Sequence, residues 1–374
     1  MGKTSLFIKY GPSIAPCRGP VNFFRSGVAF PARGGYTGGR TKKEVPAMCT
    51  SLAFPERGLY GRNLDLEYHF GEQVVLTPRK FPFAFHHHPA PAEHYALLGM
   101  ASLAGGVPLY AEAANEKGLY MAGLNFPGNA HYFAAPKEGA LNLAPYELFP
   151  LVLGQCATVA EARRLLEQMH LVAEPFGPGY PLAPLHWQIA GPDGVLVAEP
   201  MADGLHLYED AWGVLTNNPP FPWQQMNLNQ YRGLSPATPE NRFAPARELE
   251  VFGQGLGGLG LPGDASPASR FVRAAFCKQN AVFPEDRAGQ VVQFFHLLDA
   301  VAMVRGSVQT PEGRWDETIY SSCLDVQGPP VYYYKTCESG CLHAVRFTEE
   351  AAAGREPVCH KPVTEPGFAE HTLA

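Results

Sequence analysis

No stretch of the 374-residue chain approaches the roughly 18–20 consecutive apolar residues of a membrane span. Charge is scarce at 17% of residues and sums to −6, and there is no long basic run, which argues against nucleic-acid binding. Eight cysteines (Cys17, Cys49, Cys156, Cys277, Cys323, Cys337, Cys341 and Cys359) are too sparse at this length for a disulfide framework. Cys337 and Cys341 form the only close pair, and no second pair completes a zinc site. Apart from Cys49, these cysteines read as ordinary thiols, and the default compartment is the cytoplasm. His86-His87-His88 and His94 lie in a proline-rich stretch without carboxylates or regular ligand spacing, so no metal is expected. The glycine run from Gly253 to Gly260 lacks both a lysine and a preceding apolar strand, so it is not read as a phosphate loop. No cofactor is implied, and no repeat of fixed period is present.

What the chain does have is 46% hydrophobic residues, enough for a sizeable core, and 39 glycines with 36 prolines, which fits many turns. Its length admits two domains or one large layered domain. Strand-like runs at 51–54 and 59–66 flank the turn Pro55-Glu-Arg-Gly58, a hairpin pattern. Further strands are predicted over 73–77, 95–102, 110–114 and 119–124, with a turn at Asn115-Glu-Lys-Gly118. Residues 144–171 read as helical, with a capping box from Thr158 to Glu161. Strands resume at 186–190, 194–199, 205–208 and 214–216, followed by a long polar connection from Asn218 to about Gly263. Helices are predicted near 269–279 and 290–304, then strands at 319–326, 331–335 and 343–347. This order suits sheets covered by helices, not a regular parallel sheet.

Residues 1–47 differ in character. They hold Gly- and Arg-rich turns without periodicity, and Phe23–Phe30 is broken by Arg25 and Gly27, so no signal-peptide core is present. They read either as a disordered extension or as translated leader from a start codon placed too far upstream. Lys42-Lys43-Glu44-Val45 can be encoded by AAA-AAG-GAG-GTN, a purine-rich ribosome-binding sequence at a short spacing before Met48. The expected division is therefore 1–48 as leader and 49–374 as one catalytic domain. With Met48 removed, Cys49 carries a free amine whose reference pKa of roughly 7.7–8.0 makes it a base on the same residue as the thiol. Such a nucleophile needs an acceptor for the amine, a cation to favour thiolate, and donors for an oxyanion. Arg62 and Asp65, on the return strand of the hairpin, can supply the first two; taken alone they also read as an ordinary surface ion pair.

Six further segments accompany Met48-Cys49-Thr50: Tyr60-Gly-Arg-Asn-Leu-Asp65, Asn115-Glu-Lys-Gly118, Met121-Ala-Gly-Leu-Asn-Phe126, Leu215-Thr-Asn-Asn-Pro219, Gly260-Leu-Pro-Gly-Asp264 with Ser269-Arg-Phe-Val-Arg-Ala-Ala-Phe276, and Phe294-Phe-His-Leu-Leu298. From Met48 to about Phe347 the set resembles the choloylglycine hydrolase family of N-terminal-nucleophile amidases, which holds bile salt hydrolases and penicillin V acylases. The resemblance implies an α+β, four-layer αββα fold with two antiparallel sheets. It implies Cys49 as nucleophile, Arg62 beside the thiol, Asp65 holding the amine, Asn217 and the Asn125 backbone N–H as oxyanion donors, and Arg270 as the remaining active-site arginine. Asn218 and Arg273 rank below their neighbours Asn217 and Arg270.

Asn125, the glycine run and Val301-Ala-Met-Val-Arg-Gly306 look like bile salt hydrolases of gut Gram-positive bacteria. The implied substrates are glycine- or taurine-conjugated bile acids, with Leu64, Phe70, Asn125, Phe176 and Tyr180 as the substrate wall. Simple core packing is the other reading of the apolar four. The alternatives are a penicillin V or N-acyl homoserine lactone acylase, or a catalytically silent binding protein if the prefix is never removed. The family also implies a homotetramer through a loop after Asn218. The codons for residues 42–45 test the leader: a purine-rich GGAGG is expected there, and any other spelling removes the argument.

Overall fold

A computed structural model of the chain describes residues 15–16 and 48–372. The leader expected over 1–48 therefore lies outside the described residues, apart from Ala15–Pro16 and Met48. In chain order the strands begin with β1 (Ala15–Pro16), β2 (Met48–Phe54), β3 (Leu59–Leu66), β4 (Gln73–Thr77), β5 (Leu97–Ala104), β6 (Val107–Asn115), β7 (Tyr120–Asn125), β8 (Leu141–Leu143) and β9 (Met169–Leu171). They continue with β10 (Leu185–Gly191), β11 (Gly194–Met201), β12 (Gly204–Glu209), β13 (Val214–Leu215), β14 (Val308–Gln309), β15 (Trp315–Asp325), β16 (Val331–Thr336), β17 (His343–Arg346) and β18 (Val358–His360). The helices are α1 (Leu148–Gln155), α2 (Val159–Leu166), α3 (Phe221–Asn227), α4 (Pro267–Gln279), α5 (Arg287–Asp299) and α6 (Glu349–Ala352).

Among the described residues, one antiparallel sheet runs β1-β18-β4-β5-β6-β7-β10-β11-β12 and a second runs β13-β2-β3-β15-β16-β17, with β14 on β15. The sheets face each other. Helices α1 and α2 cover the outer face of the first sheet, and α4 and α5 cover the outer face of the second. The result is the expected four-layer α+β sandwich. One apolar cluster fills the space between the sheets and reaches under α4 and α5, with Tyr60, Leu124, Phe271 and Phe294 in it. Another, with Trp187, Leu148 and Leu166, lies beneath α1 and α2.

The hairpin forms as its sequence predicts. Pro55 opens a tight turn, and Gly58 closes it in the left-handed region at φ 55°, where glycine is favoured. Strand β3 is buried along nearly its whole length because both faces of its sheet are covered. The alternation of side chains sorts its residues. Tyr60, Arg62 and Leu64 face the other sheet, and Asn63 and Asp65 face α4 and α5. The register pairs Cys49 with Leu64 and Ser51 with Arg62, so the Cys49 thiol and Arg62 share the inner face.

Two expectations need correction. Residues 144–171 are not one helix: the chain leaves helix at Cys156, and 169–171 is a strand paired in parallel with 141–143. The break is a second start. Thr158 caps α2 by accepting from the Glu161 N–H at 3.1 Å, and the Asp193 carboxylate accepts from the Val159 and Ala160 N–H groups. The cysteines are also not all thiols, since Cys359 is disulfide-bonded.

Strands β3 and β15 approach most tightly at Gly61, where an added Cβ would lie 2.0 Å from the Ser322 carbonyl oxygen. Gly61→Ala is expected to cost about 1–3 kcal/mol through overpacking. A thermal melt reads it; an unchanged Tm would contradict the tight register.

Candidate active site

Cys49 sits on β2 with 4% of its surface exposed. Two guanidinium groups, both fully buried, flank its strand from opposite faces. Arg62, on the inner face, donates from Nη1 to the Gly123 carbonyl at 2.5 Å and the Ala111 carbonyl at 3.2 Å, and stands 3.9 Å from the Glu112 carboxylate. Glu112 is itself buried and accepts from the Tyr332 and Tyr320 hydroxyls at 2.5 and 2.8 Å. On the helix side, Arg270 of α4 donates to the Cys49 carbonyl (2.5 Å), the Thr50 hydroxyl (2.6 Å) and Asn217 Oδ1 (2.8 Å). Helix α4 starts on the Ser266 cap, and Arg270 Nε donates back to the Ala265 carbonyl at 2.9 Å. Burial pushes the Cys49 thiol up, while Arg62 first and Arg270 further down oppose that rise.

Asn217 lies just past β13. Its Oδ1 accepts from the Cys49 N–H at 2.9 Å, and its Nδ2 donates to the Asn125 carbonyl at 2.8 Å. The next residue, Phe126, donates its N–H to the Pro184 carbonyl across β10. In an antiparallel ladder this turns the Asn125 N–H away from β10, to the same side as its carbonyl and Asn217. The expected residues Cys49, Asn125, Asn217 and Arg270 are thus joined by direct hydrogen bonds, with Arg62 beneath them.

Asp65 is placed differently from its sequence reading. Arg62 and Asp65 are neither exposed nor a pair: an odd separation along β3 puts them on opposite faces. In the chain joined through Met48, the atom facing the Cys49 nitrogen is Asn217 Oδ1. Asp65 Oδ1 instead accepts from the Thr318 hydroxyl at 2.5 Å, and Oδ2, though buried, has no hydrogen-bond partner. Burial raises the Asp65 carboxyl to about 6 against the pull of Arg270, the Thr318 hydroxyl and Arg62. Met48 is the cross-strand partner of Asp65, so this carboxylate faces the position that the Cys49 amine would occupy once Met48 is gone.

The lower-ranked neighbours serve the framework. Arg273 donates to the Ala300 and Pro262 carbonyls, and Asn218 bonds Pro127 and Asn129. Of the expected wall, Leu64 is buried opposite Cys49 and Phe70 packs on the inter-sheet cluster. Phe176 and Tyr180 pack edge-to-face on each other, and Phe176 on Tyr146, as an aromatic group of their own. Glu112 and Thr318 were not found from sequence. Glu112 lies 50 residues from Arg62, and Thr318 reaches the Asp65 face only through a bulge between Thr318 and Tyr320, which has no sequence signature. Among the described residues no group of three or more His, Cys, Asp or Glu is placed to hold a metal, and no helix is long and apolar enough to cross a membrane. A cavity of about 500 Å³ lined by His131, Lys137, His170 and Asp203 includes none of the Cys49 cluster in its walls. Thiol, cations and amide donors converge at Cys49 instead.

Residues 49–360 match the model of the linear amide C–N hydrolases, choloylglycine hydrolase family. The chain belongs to the choloylglycine hydrolase family. It is 42% identical over 306 residues to a bile salt hydrolase/transferase of Lactiplantibacillus plantarum, covering 81% of this chain and 93% of that one. It is 37% identical over 320 residues to a bile salt hydrolase/transferase of Clostridium perfringens, covering 84% and 97%. A crystal structure of a cysteine-to-alanine mutant of the C. perfringens conjugated bile acid hydrolase superposes with TM-score 0.78 at 34% identity, covering 87% of this chain and all of that one. A penicillin V acylase from Agrobacterium tumefaciens, at 18% identity and TM-score 0.63 over 80% of this chain and 86% of that one, shares the fold. As a choloylglycine hydrolase family member, this chain is a hydrolase of linear amide bonds.

Beside Asp65 in this enzyme lies a second buried carboxyl, Asp316, whose Oδ1 has no hydrogen-bond partner. Burial first, then repulsion from Asp65 and Glu67, pushes it up to about 7. A carboxyl raised in the folded state costs stability only where it must ionise. The cost is absent below its ordinary value of 3.8 and complete above about 7. Asp316→Asn is therefore expected to raise Tm relative to the parent at roughly pH 8, with the gain shrinking toward roughly pH 4. A gain independent of pH would contradict this.

Proposed function

We propose that this chain hydrolyses the amide bond of glycine- or taurine-conjugated bile acids, with Cys49 as nucleophile in a mature form that begins at that residue. The observation that carries the mechanism is the buried Cys49–Asn217–Arg270–Asn125 hydrogen-bond set with Arg62 beneath the thiol. The substrate reading is supported by the bile-salt-acting relatives at 36–42% identity. The likeness to a penicillin V acylase, at 18%, supports only the architecture.

In this reading the α-amine of Cys49 takes the thiol proton, and the thiolate attacks the amide carbonyl carbon. Arg62 stabilises the thiolate, and Asn217 Nδ2 and the Asn125 N–H receive the oxyanion. The ammonium, held by Asp65 and Asn217 Oδ1, passes its proton to the leaving nitrogen as the C–N bond breaks. Glycine or taurine departs and leaves a choloyl thioester. Water, deprotonated by the same amine, opens the thioester to free bile acid and regenerates the thiol. The orphan Asp65 Oδ2 supports this assignment, since a buried carboxylate oxygen without a donor is costly and an ammonium would satisfy it. Leu64, Phe70, Phe176 and Tyr180 are assigned to the apolar wall for the steroid. Exposed Phe243, Phe252 and Leu259 in the connection after Asn218 support assembly through that loop; the proposed assembly is a homotetramer, which sedimentation equilibrium would read as four chains.

Amino-acid release from glycocholate and taurocholate, measured beside penicillin V, tests the assignment. Release is expected from the conjugates, abolished in Cys49→Ala and lowered about 10²–10³-fold in kcat for Asn217→Ala. Turnover of penicillin V without release from either conjugate would overturn the substrate. Activity retained by Cys49→Ala would overturn the mechanism.

A further inference from the structure

The two strands that carry the oxyanion donors are far apart in sequence, and one buried pair touches both. His186 on β10 and Glu199 on β11 are each fully buried on the inner face of the larger sheet. They stand opposite one another, one step beyond the Trp187–Ala198 pair, with Nδ1 3.1 Å from Glu199 Oε1. His186 Nε2 lies 2.9 Å from the Thr216 carbonyl oxygen, which can only accept, so Nε2 carries a hydrogen. Nδ1 and Oε1 lie at hydrogen-bond distance, so both ring nitrogens of His186 are engaged. Glu199 Oε1 also accepts the Phe221 N–H at 2.9 Å. The pair thus grips both ends of the turn from Thr216 to Phe221, and Asn217 lies inside that turn. On its other side the imidazole stacks on Phe126, with ring centroids 4.3 Å apart and planes within 5°. Phe126 is the residue after Asn125.

We propose that His186, with Glu199, is a positioning residue that holds the Asn217 amide and the Asn125 N–H at the separation an oxyanion requires. The inference rests on the oxyanion roles assigned to those two residues above. It follows from the demands of preorganised stabilisation: donors act fully only when fixed where charge develops, and a misplacement near 1 Å can cost about 10²-fold in rate. Neither Asn125 nor Asn217 is fixed by neighbours along its own strand alone. Asn125 ends β7 and Asn217 follows the two-residue β13. Their direct contact, Asn217 Nδ2 to the Asn125 carbonyl, is framed by His186 on both sides. His186 touches neither Cys49 nor Arg62 through any described hydrogen bond and reaches Cys49 only through Asn217 Oδ1, so the thiol should feel its loss far less than the oxyanion donors do.

The test separates kcat from KM and from thiol reactivity. It uses His186→Leu, which lacks the donor, and His186→Gln, which keeps an N–H near the Nε2 position. Substrates are glycocholate and, in parallel, a p-nitrophenyl ester, since any acyl donor reads the oxyanion donors. The Leu variant is expected to lose about 10²-fold in kcat on both substrates with KM unchanged, and the Gln variant to recover most of that loss. The rate of Cys49 alkylation by iodoacetamide should fall far less than kcat in both. Should His186→Leu fail to fold, Glu199→Gln carries the same test, with kcat reduced about tenfold and alkylation reduced less. Parental kcat in His186→Leu or Glu199→Gln would overturn the inference. So would kcat and alkylation falling by the same factor, which marks general loss of the site. A parent that opens the ester but releases nothing from glycocholate would strike the bile-salt reading alone and leave the ester arm to decide the role of His186.

Discussion

Two buried cations hold this architecture to one arrangement. Arg62 and Arg270 lie on opposite faces of the strand that carries Cys49, and neither reaches solvent. A guanidinium removed from water must find acceptors in nearly every direction. Arg62 finds them in two carbonyls of the opposite sheet and in Glu112, which binds the two sheets face to face at that point. Arg270 finds them in the Cys49 carbonyl, Thr50 and Asn217, which fixes α4 against β2 and brings β13 alongside. The charges proposed to support a thiolate are therefore the same ones that set the spacing of the layers.

The polar interior around them is extensive and largely satisfied. Ser51 donates to Gln188, Gln188 to Asp210, and Asp210 accepts three backbone N–H groups that lead into β13. This chain ties β2, which carries Cys49, to β13, which leads into Asn217. Buried polar atoms without a partner remain in several places, Glu199 and Gln224 among them; on the Met48 side, Asp65 and the neighbouring Asp316 each keep a carboxylate oxygen without a donor. An ammonium at Cys49, in place of the amide now joined to Met48, supplies the missing positive charge on that side.

Much of this was legible in the sequence. Local signals gave the β2–β3 hairpin, the Thr158 cap and helix α4 to within two residues, and helix α5 with its start three residues and its end five residues too late, because turns, caps and apolar spacing act over short range. The six catalytic candidates followed from ordered motifs, and the structure brings Cys49, Asn125, Asn217 and Arg270 into direct contact. What sequence did not reveal depends on long-range geometry. The opposite faces of Arg62 and Asp65 follow from strand alternation once β3 is known to be buried on both sides. Thr318 needed a bulge, Glu112 needed the facing sheet, and His186 looked like any strand histidine until its two ring nitrogens were placed. The helix expected over 144–171 failed because Asp193, from a distant turn, caps a second helix start.

The claim on which the account depends is that Cys49 acts as both nucleophile and chain terminus. Acid-quenched intact mass spectrometry during glycocholate turnover tests it most directly. The account predicts a chain beginning at Cys49 that carries one choloyl group, with the adduct mapped to that cysteine. Turnover by a chain that still holds Met48 ahead of Cys49, or an acyl group on any other residue, would contradict it.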